Sequence, residues 1–190
     1  MSRLFWVRHG PTHATGMVGW SDLPADLSDT ARIARLAAHL PGGALVISSD
    51  LARARATADA IAGPRPRLPD DPDLREIHFG TWEMQAFDTI ADQDRLRAFW
   101  DAPGDVRPPG GESWHEISAR AGRAVARLRA AHAGRDIVVV AHMGTILTQV
   151  QAATGIAAFE AFGHRIDPLS VTDLHWRDGG WRLGSVNHRP

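Results

Sequence analysis

Cysteine, lysine and tyrosine are absent from this sequence of 190 residues. Without cysteine the chain has no disulfide bond, no thiol nucleophile and no thiolate metal ligand, which fits a reducing compartment. Without lysine it has no P-loop lysine and cannot form a Schiff base, so pyridoxal-phosphate chemistry is excluded. Nucleophilic and acid–base chemistry falls to His, Asp, Glu, Ser and Thr. Arginine supplies all 21 basic residues and must bind any anion.

Long hydrophobic runs are scarce as well. The apolar run that follows Met1-Ser2-Arg3 has only four residues before Arg8. It is too short for the apolar region of a signal peptide, and no other stretch approaches the length of a membrane span. We therefore expect a cytoplasmic protein without membrane contact. The net charge of −1 argues against general nucleic-acid binding.

The composition is that of an ordinary globular protein, with 44% apolar and 23% charged residues. This length and this apolar fraction predict a single domain over residues 1–190 with a substantial core. The sequence leaves open whether the chain is a monomer or a homodimer.

Apolar runs alternate with amphipathic segments, which predicts an α/β fold with helices on both faces of a mostly parallel sheet. Pro- and Gly-rich residues 101–111 predict a loop that acts as a lid or a rim. The expected strands are 4–7, 44–48 and 136–141, with a closing hairpin at 171–176 and 181–186. The expected helices are 29–40, 51–62, 86–100, 112–133 and a segment ending near 154.

Three of the apolar runs end in polar residues. They end in Arg8-His9-Gly10, in Ser48-Ser49-Asp50 ahead of Arg53, and in His142-Met143-Gly144. If these strands are parallel neighbours, two histidines and one or two arginines meet at one carboxyl edge, where α/β sheets bind ligands. Arginines and helix N-termini bind phosphate, and a histidine among them can attack phosphorus.

Two further blocks accompany these strand ends: Ser49 to Ala58, and Leu74 to Glu83. In this order, with Arg8-His9-Gly10 and Ala141-His142-Met143-Gly144, they resemble the histidine phosphatase superfamily. Gly110-Gly111-Glu112-Ser113 resembles a block of its phosphoglycerate-mutase-like branch, to which α-ribazole phosphatases and broad-specificity phosphatases belong. The resemblance covers most of the chain and implies a three-layer α/β/α sandwich of the phosphoglycerate-mutase type.

The resemblance also implies catalytic roles. His9 would be the nucleophile that becomes phosphohistidine, Arg8, Arg53 and His142 would form the phosphate pocket, and Glu76 would donate a proton to the leaving group. That role requires Glu76 to be in its acid form near neutral pH, in a partly desolvated position. No metal ion and no organic cofactor is implied. The substrate-binding residues expected are Arg8, Thr15, Trp20, Arg53, His142 and Met143.

Some of these assignments have competitors. Helical spacing cannot choose between Arg53 and Arg55, and only the resemblance selects Arg53. Glu83 could replace Glu76 as the acid, although a structural role suits it better. Pro11 stands where the family usually has Glu or Gln, and Thr15 stands where it usually has Asn. The sequence therefore does not decide whether one polar contact with phosphate is made.

The expected function is hydrolysis of a small phosphorylated metabolite, with inorganic phosphate as a product. Three further functions fit the same residues: a phosphoglycerate-type mutase, a protein phosphohistidine phosphatase, and a non-catalytic phospholigand-binding module. A mutase of this family carries an Asn-Ser-Leu-Arg run where this chain has Gly144-Thr145-Ile146-Leu147. A mutase also carries a basic insertion after the Glu76 block, whereas residues 84–106 contain only Arg95 and Arg97 as cations.

Overall fold

The structure, a computed structural model, describes residues 2–190. Within them, five strands form one mixed sheet: β1 (Arg3–Arg8), β2 (Leu45–Ser48), β3 (Ile137–Ala141), β4 (Val171–Arg177) and β5 (Gly180–Leu183). Their order across the sheet is β2-β3-β1-β4-β5. The three strands β2, β3 and β1 pair in parallel, and β4 runs antiparallel to both of its neighbours. The predicted α/β class is confirmed, with an antiparallel hairpin added to the parallel strands.

Six α-helices accompany the sheet in the described residues. They are α1 (Thr30–His39), α2 (Ala52–Ala62), α3 (Gln93–Asp101), α4 (Trp114–Ala131), α5 (Met143–Thr154) and α6 (Ala158–Phe162). Local sequence sets several of their ends. Asp29 caps α1, and Ser113 with Glu116 forms a capping box that starts α4. None of the helices described is long and apolar enough to cross a membrane.

The central strand β1 is buried on both faces of the sheet, which explains its unbroken apolar run. Leu4 and Trp6 belong to a core shared with α4 and α5, whereas Phe5 and Val7 belong to a second core shared with α1 and α2. Two cores, one on each face, give the three layers that the sequence predicts. They hold the polar carboxyl ends of β1 and β3 in fixed positions.

The structure differs from the sequence predictions between residues 86 and 100. A short 3₁₀ helix at Phe87–Thr89 replaces the first part of the predicted helix, and α3 begins only at Gln93. The side chain of Asp92 caps α3 by accepting the N–H of Arg95 over 3.0 Å, and this cap sets the later start. The short helix α6 was not predicted.

The loop at residues 102–113 is tied to the segment around Gly80. The Thr81 N–H donates to the Pro109 carbonyl over 2.9 Å, and the Glu112 N–H donates to the His78 carbonyl over 2.8 Å. A Cβ atom on Gly80, where φ is 54°, would collide with the Pro109 carbonyl oxygen. Glycine therefore allows the two backbones to approach closely, and the loop is fastened to residues 78–81.

Candidate active site

His9 directly follows β1, and β1 lies beside β3 in the sheet. Arg8 is in register with Ala141, and the His9 N–H donates to the Ala141 carbonyl over 3.0 Å. The residue after Ala141 is His142, so the two imidazoles lie side by side, with ring centroids 5.0 Å apart. The parallel pairing of β1 and β3 thus brings both predicted histidines to one edge of the sheet.

Two hydrogen bonds fix the tautomer of His9. Its Nδ1 lies 2.6 Å from the Gly10 carbonyl oxygen, which only accepts, so Nδ1 carries the hydrogen. Its Nε2 lies 3.2 Å from Nε of Arg53, which only donates, so Nε2 carries the lone pair. Burial, together with the positive charges of Arg53 and Arg8, lowers the pKa of His9 to about 3. At neutral pH, His9 is therefore an uncharged imidazole with a nucleophilic Nε2.

Arg53 is wholly buried near the start of α2. Besides its contact with His9, it donates to the Ser21 carbonyl over 2.8 Å and to the Gly19 carbonyl over 2.6 Å. These bonds hold the guanidinium against the imidazole and tie down the loop that follows β1. Arg55 is exposed on the other side of α2. The structure thus places Arg53, and not Arg55, beside His9.

Thr57 links the nucleophile to the same helix, one turn after Arg53. Its hydroxyl accepts the Gly10 N–H over 3.0 Å and donates to the Arg53 carbonyl over 2.7 Å. Sequence analysis missed this role, although a threonine four residues after Arg53 on the alanine-rich face of α2 was a usable signal. Thr57 fixes the backbone at Gly10, whose carbonyl in turn sets the tautomer of His9.

Glu76 lies beside the start of α5. Its side chain is buried, with Oε1 accepting the Ile77 N–H over 2.9 Å and Oε2 accepting the Gly144 N–H over 3.0 Å. The carboxyl group therefore lies at the positive end of the α5 dipole. A Cβ atom on Gly144 would collide with Oε1 of Glu76, so the glycine is needed for this contact.

The backbone of Glu76 is held from two sides. Its carbonyl accepts the indole N–H of Trp20 over 2.8 Å and an N–H of Arg120 over 2.6 Å. Arg120 is itself buried on α4 and pairs with Glu112 over 2.8 Å. Sequence analysis gave no role to Arg120, because an arginine on a long amphipathic helix looks like a surface residue until the packing of α4 is known.

Glu83 joins the loop after His9 to the segment that carries Glu76. Its carboxylate accepts the N–H groups of Gly19 over 3.0 Å and Trp20 over 2.8 Å, and the hydroxyl of Ser21 over 2.7 Å. Burial opposes ionisation, but these hydrogen bonds outweigh it and hold the pKa of Glu83 below its usual value. With its lone pairs used in this way, Glu83 has the structural role that the sequence favours for it.

His142 is completely buried, and among the described residues neither of its ring nitrogens has a hydrogen-bond partner. Burial, with the nearby His9 and Arg53, holds the pKa of His142 well below its usual range. A buried polar ring without a partner is costly in a folded protein and calls for an explanation. His142 does not line the cavity beside His9, so its predicted contact with phosphate stays a prediction.

A cavity of about 240 Å³ adjoins this cluster. Arg8, His9 and Glu76 line it, and His9 and Glu76 are each only 7% exposed, so they form its floor. Thr15 and Met143 also line the cavity, whereas Arg53 does not, and the binding of substrate by these residues stays a prediction. Larger hollows of about 550 and 610 Å³ lie elsewhere on the described surface, but neither contains His9 or Glu76. The smaller cavity, which contains both residues, is therefore the candidate site.

Trp20 occupies a different place. It does not contribute to the cavity lining in the described structure, and its indole N–H is used by the Glu76 carbonyl. The guanidinium of Arg75 lies 4.6 Å from the centre of its ring. Its predicted contact with substrate stays a prediction, and the structure supports a positioning role for Trp20 beneath Glu76. Among residues 2–190, no three His, Asp or Glu side chains come together as a metal site.

The site and the fold have clear relatives. A sequence profile described as the histidine phosphatase superfamily (branch 1) matches residues 4–189. The probable phosphoglycerate mutase GpmB of Serratia proteamaculans (strain 568) is 29% identical, over 99% of this chain and 95% of that protein. The adenosylcobalamin/alpha-ribazole phosphatase of Escherichia coli (strain K12) is 30% identical, over 87% of this chain and 85% of that protein. The solved structure of Bacillus stearothermophilus YhfR superposes with a TM-score of 0.90 at 27% identity, covering 99% of this chain and 98% of that chain.

This chain belongs to the histidine phosphatase superfamily. The family membership predicted from the sequence blocks is confirmed, and so is the phosphoglycerate-mutase-like fold. Its relatives carry the names of both phosphatases and mutases. The chain spans only 54% of the length of three mycobacterial relatives, to each of which it is 29% identical.

Proposed function

We propose that residues 1–190 form one cytoplasmic hydrolase domain for phosphate monoesters, which acts through a phosphohistidine at His9. The observation that carries this proposal is the neutral His9, with its lone pair at Nε2, on the floor of the cavity that Glu76 also lines. A nucleophile and a candidate acid in one recessed cavity are what the reaction requires. The substrate is a small phosphorylated metabolite, and neither a metal ion nor an organic cofactor takes part.

In the first step, Nε2 of His9 attacks phosphorus while the bond from phosphorus to the ester oxygen breaks. For this step Glu76 must hold a proton when the ester binds. It gives this proton to the departing alkoxide and becomes the carboxylate, the form that the N–H groups of Ile77 and Gly144 stabilise. Once Nε2 binds phosphorus, the Arg53 N–H that faced it loses its acceptor, and the phosphoryl oxygens replace it. Arg8 and the N–H of neutral His142 donate hydrogen bonds to the other phosphoryl oxygens and stabilise their negative charge.

In the second step, water attacks the phosphorus of phosphohistidine and the phosphorus–nitrogen bond breaks. The Glu76 carboxylate takes a proton from this water, which restores the acid for the next cycle. His9 leaves as the neutral imidazole with its hydrogen still on Nδ1, because the Gly10 carbonyl holds it there. Inorganic phosphate is the product, and all groups return to their starting state.

The cavity favours hydrolysis over the mutase reaction. A mutase must hold a second anionic group while the phosphoryl group moves, which requires a second set of cations. Among the described residues that line the cavity, Arg8 is the single arginine. Arg95 and Arg97 are exposed on α3, and Arg97 pairs with Asp94 over 3.1 Å. Among the described residues, the cavity lining therefore offers no second group of cations for the other phosphate of a bisphosphate.

The recessed position of His9 also favours a small substrate over a protein. A protein phosphohistidine phosphatase must admit a side chain of another protein, which suits a shallow, open site, whereas His9 is only 7% exposed. A non-catalytic binding module has no need of the nucleophile or of the acid, and both are present. We therefore prefer a small-molecule ester as the substrate.

Glu76→Gln tests the proposed acid. Gln cannot donate the proton, so an alkyl phosphate should lose roughly 10²-fold or more in the rate of phosphohistidine formation. A p-nitrophenyl ester, whose leaving group needs little protonation, should lose much less. Rapid-quench bursts with both substrates measure this step, and equal losses for the two esters would remove Glu76 from the role of acid.

A further inference from the structure

The cavity above His9 has charged groups at its floor and aromatic side chains towards its mouth. Charged groups lie at the floor, in Arg8 and Glu76, whereas Phe79, Phe87 and Trp100 line the walls. Phe87 is 54% exposed, which places it at the mouth, while Glu76 is 7% exposed. A phosphoryl group on His9 therefore directs its leaving group into an aromatic chamber.

The aromatic walls are held in place by other rings. Trp100 packs edge-on against Phe99 at 4.9 Å and against Phe162 at 5.3 Å, and Phe87 lies 5.7 Å from it. Phe79 lies 6.1 Å from Trp100 on another side. These separations are those of favourable aromatic pairs, so a flat apolar group would meet a preformed surface.

A second anionic group on the substrate would bind poorly in this cavity. The single arginine in the cavity lining, among the described residues, is Arg8, and the transferred phosphoryl group uses it. Beyond it, an anion would meet the hydroxyls of Thr12 and Thr15, which carry no charge, the carboxyl group of Glu76, and the aromatic side chains. Desolvation of a charge without a partner is unfavourable.

We propose that the enzyme selects phosphate monoesters whose alcohol carries an aromatic or flat apolar group and no second anionic group. This inference rests on the proposed hydrolase function. Burial of the leaving group against Phe79, Phe87 and Trp100 supplies the preference. The described cavity lining has no second arginine, which disfavours substrates with an additional carboxylate or phosphate.

Binding of two phosphonates tests the preference without turnover. Benzylphosphonate and phosphonoacetate share a methylene next to phosphorus and differ in carrying a phenyl ring or a carboxylate. By calorimetry, benzylphosphonate should bind at least roughly tenfold more tightly, because its ring is buried in the chamber. Equal affinities, or tighter binding of phosphonoacetate, would overturn the inference.

Turnover of a matched pair of esters separates the inference from the proposed function. 2-Phenylethyl phosphate and 2-carboxyethyl phosphate release primary alcohols, and kcat/KM should favour the first by roughly tenfold or more. Hydrolysis of both at equal kcat/KM would refute the specificity and leave the hydrolase intact. If neither ester is hydrolysed but benzylphosphonate still binds more tightly than phosphonoacetate, the hydrolase function is refuted and the specificity of the cavity is not.

An added cation at the mouth should change this selectivity. Phe87→Arg places a positive charge beside the leaving group and should shift the kcat/KM ratio roughly tenfold toward 2-carboxyethyl phosphate. Phe159→Arg is the matched control, because Phe159 is 60% exposed and lies on α6 outside the cavity lining. Its ratio should equal that of the wild type. Equal shifts in both variants, or none in Phe87→Arg, would contradict the assignment of the chamber.

Discussion

At the scale of single residues, the proposed chemistry depends on the tautomer of His9. The Gly10 carbonyl and the Arg53 guanidinium assign the hydrogen to Nδ1 and the lone pair to Nε2. The sequence identified His9 by its place at the end of a strand. It could not reveal the tautomer, because Thr57 and Arg53 act through a helix that is distant along the chain. Helical spacing could not choose between Arg53 and Arg55. The family resemblance selected Arg53, and the position of α2 explains why it lies beside His9.

The lowered pKa of His9 gives a prediction about pH. Nitrogen NMR should find His9 neutral, with its hydrogen on Nδ1, down to about pH 4, because its pKa is about 3. The unfolded chain takes up a proton near the ordinary value of about 6.5, so His9 reduces stability as pH falls from there toward about 3. The His9→Ala variant should lose less unfolding free energy across that interval. An imidazolium signal at about pH 5.5 would contradict the burial argument.

Gly144 offers a second test at this scale. Gly144→Ala should push the carboxyl group of Glu76 away from the start of α5 and slow alkyl esters by roughly 10²-fold, with a smaller effect on p-nitrophenyl phosphate. Gly122→Ala on α4 is the control, because a Cβ atom there meets nothing within 4 Å. The control should keep full activity. Full activity in Gly144→Ala would mean that the position of Glu76 is not critical.

At the scale of elements, two loops build the site on the edge of the sheet. Residues 10–22 carry the contacts of Arg53, residues 74–85 carry Glu76, and Glu83 fastens one loop to the other. The sequence predicted β1, β2 and β3 well, because their apolar runs are unbroken. The second hairpin strand was expected at residues 181–186, but β5 ends at Leu183. The sequence did not predict the loop contacts, since a carboxylate that accepts backbone N–H groups has no periodic signature. The late start of α3 depended on the cap at Asp92, which periodicity does not reveal.

Glu83→Gln tests this fastening. The amide keeps the size but loses the charge, and at about pH 7 we expect a loss of about 1–3 kcal/mol in unfolding free energy. The pKa of Glu83 is depressed in the folded state, so its contribution is complete above the ordinary value of about 4.3. This stabilisation is lost as the pH falls through the lower pKa that Glu83 has in the folded protein. Denaturant titrations should therefore show a difference from wild type that shrinks in acid, and a constant difference would contradict the role of the charge.

At the scale of the whole molecule, a parallel arrangement of three strands makes the active site possible. Because β1 and β3 are parallel neighbours, the residues that follow them meet at one edge of the sheet. Each face of the sheet has its own core. The alternation of apolar and amphipathic segments predicted helices on both faces of the sheet. It did not predict the order of the strands, and the adjacency of β1 and β3 was only assumed. The aromatic chamber was not predictable, because Phe79, Phe87 and Trp100 come from three separate segments that no local pattern connects.

The most direct test of catalysis through His9 is the chemical identity of the phosphorylated intermediate. Enzyme quenched during steady-state turnover of a labelled ester should carry the label on His9, and mapping of the peptide would locate it. A phosphoryl group on imidazole is released in acid and retained in base, and the His9→Ala variant should carry none. Label that survives acid and is released in base, or label that persists in His9→Ala, would contradict catalysis through His9.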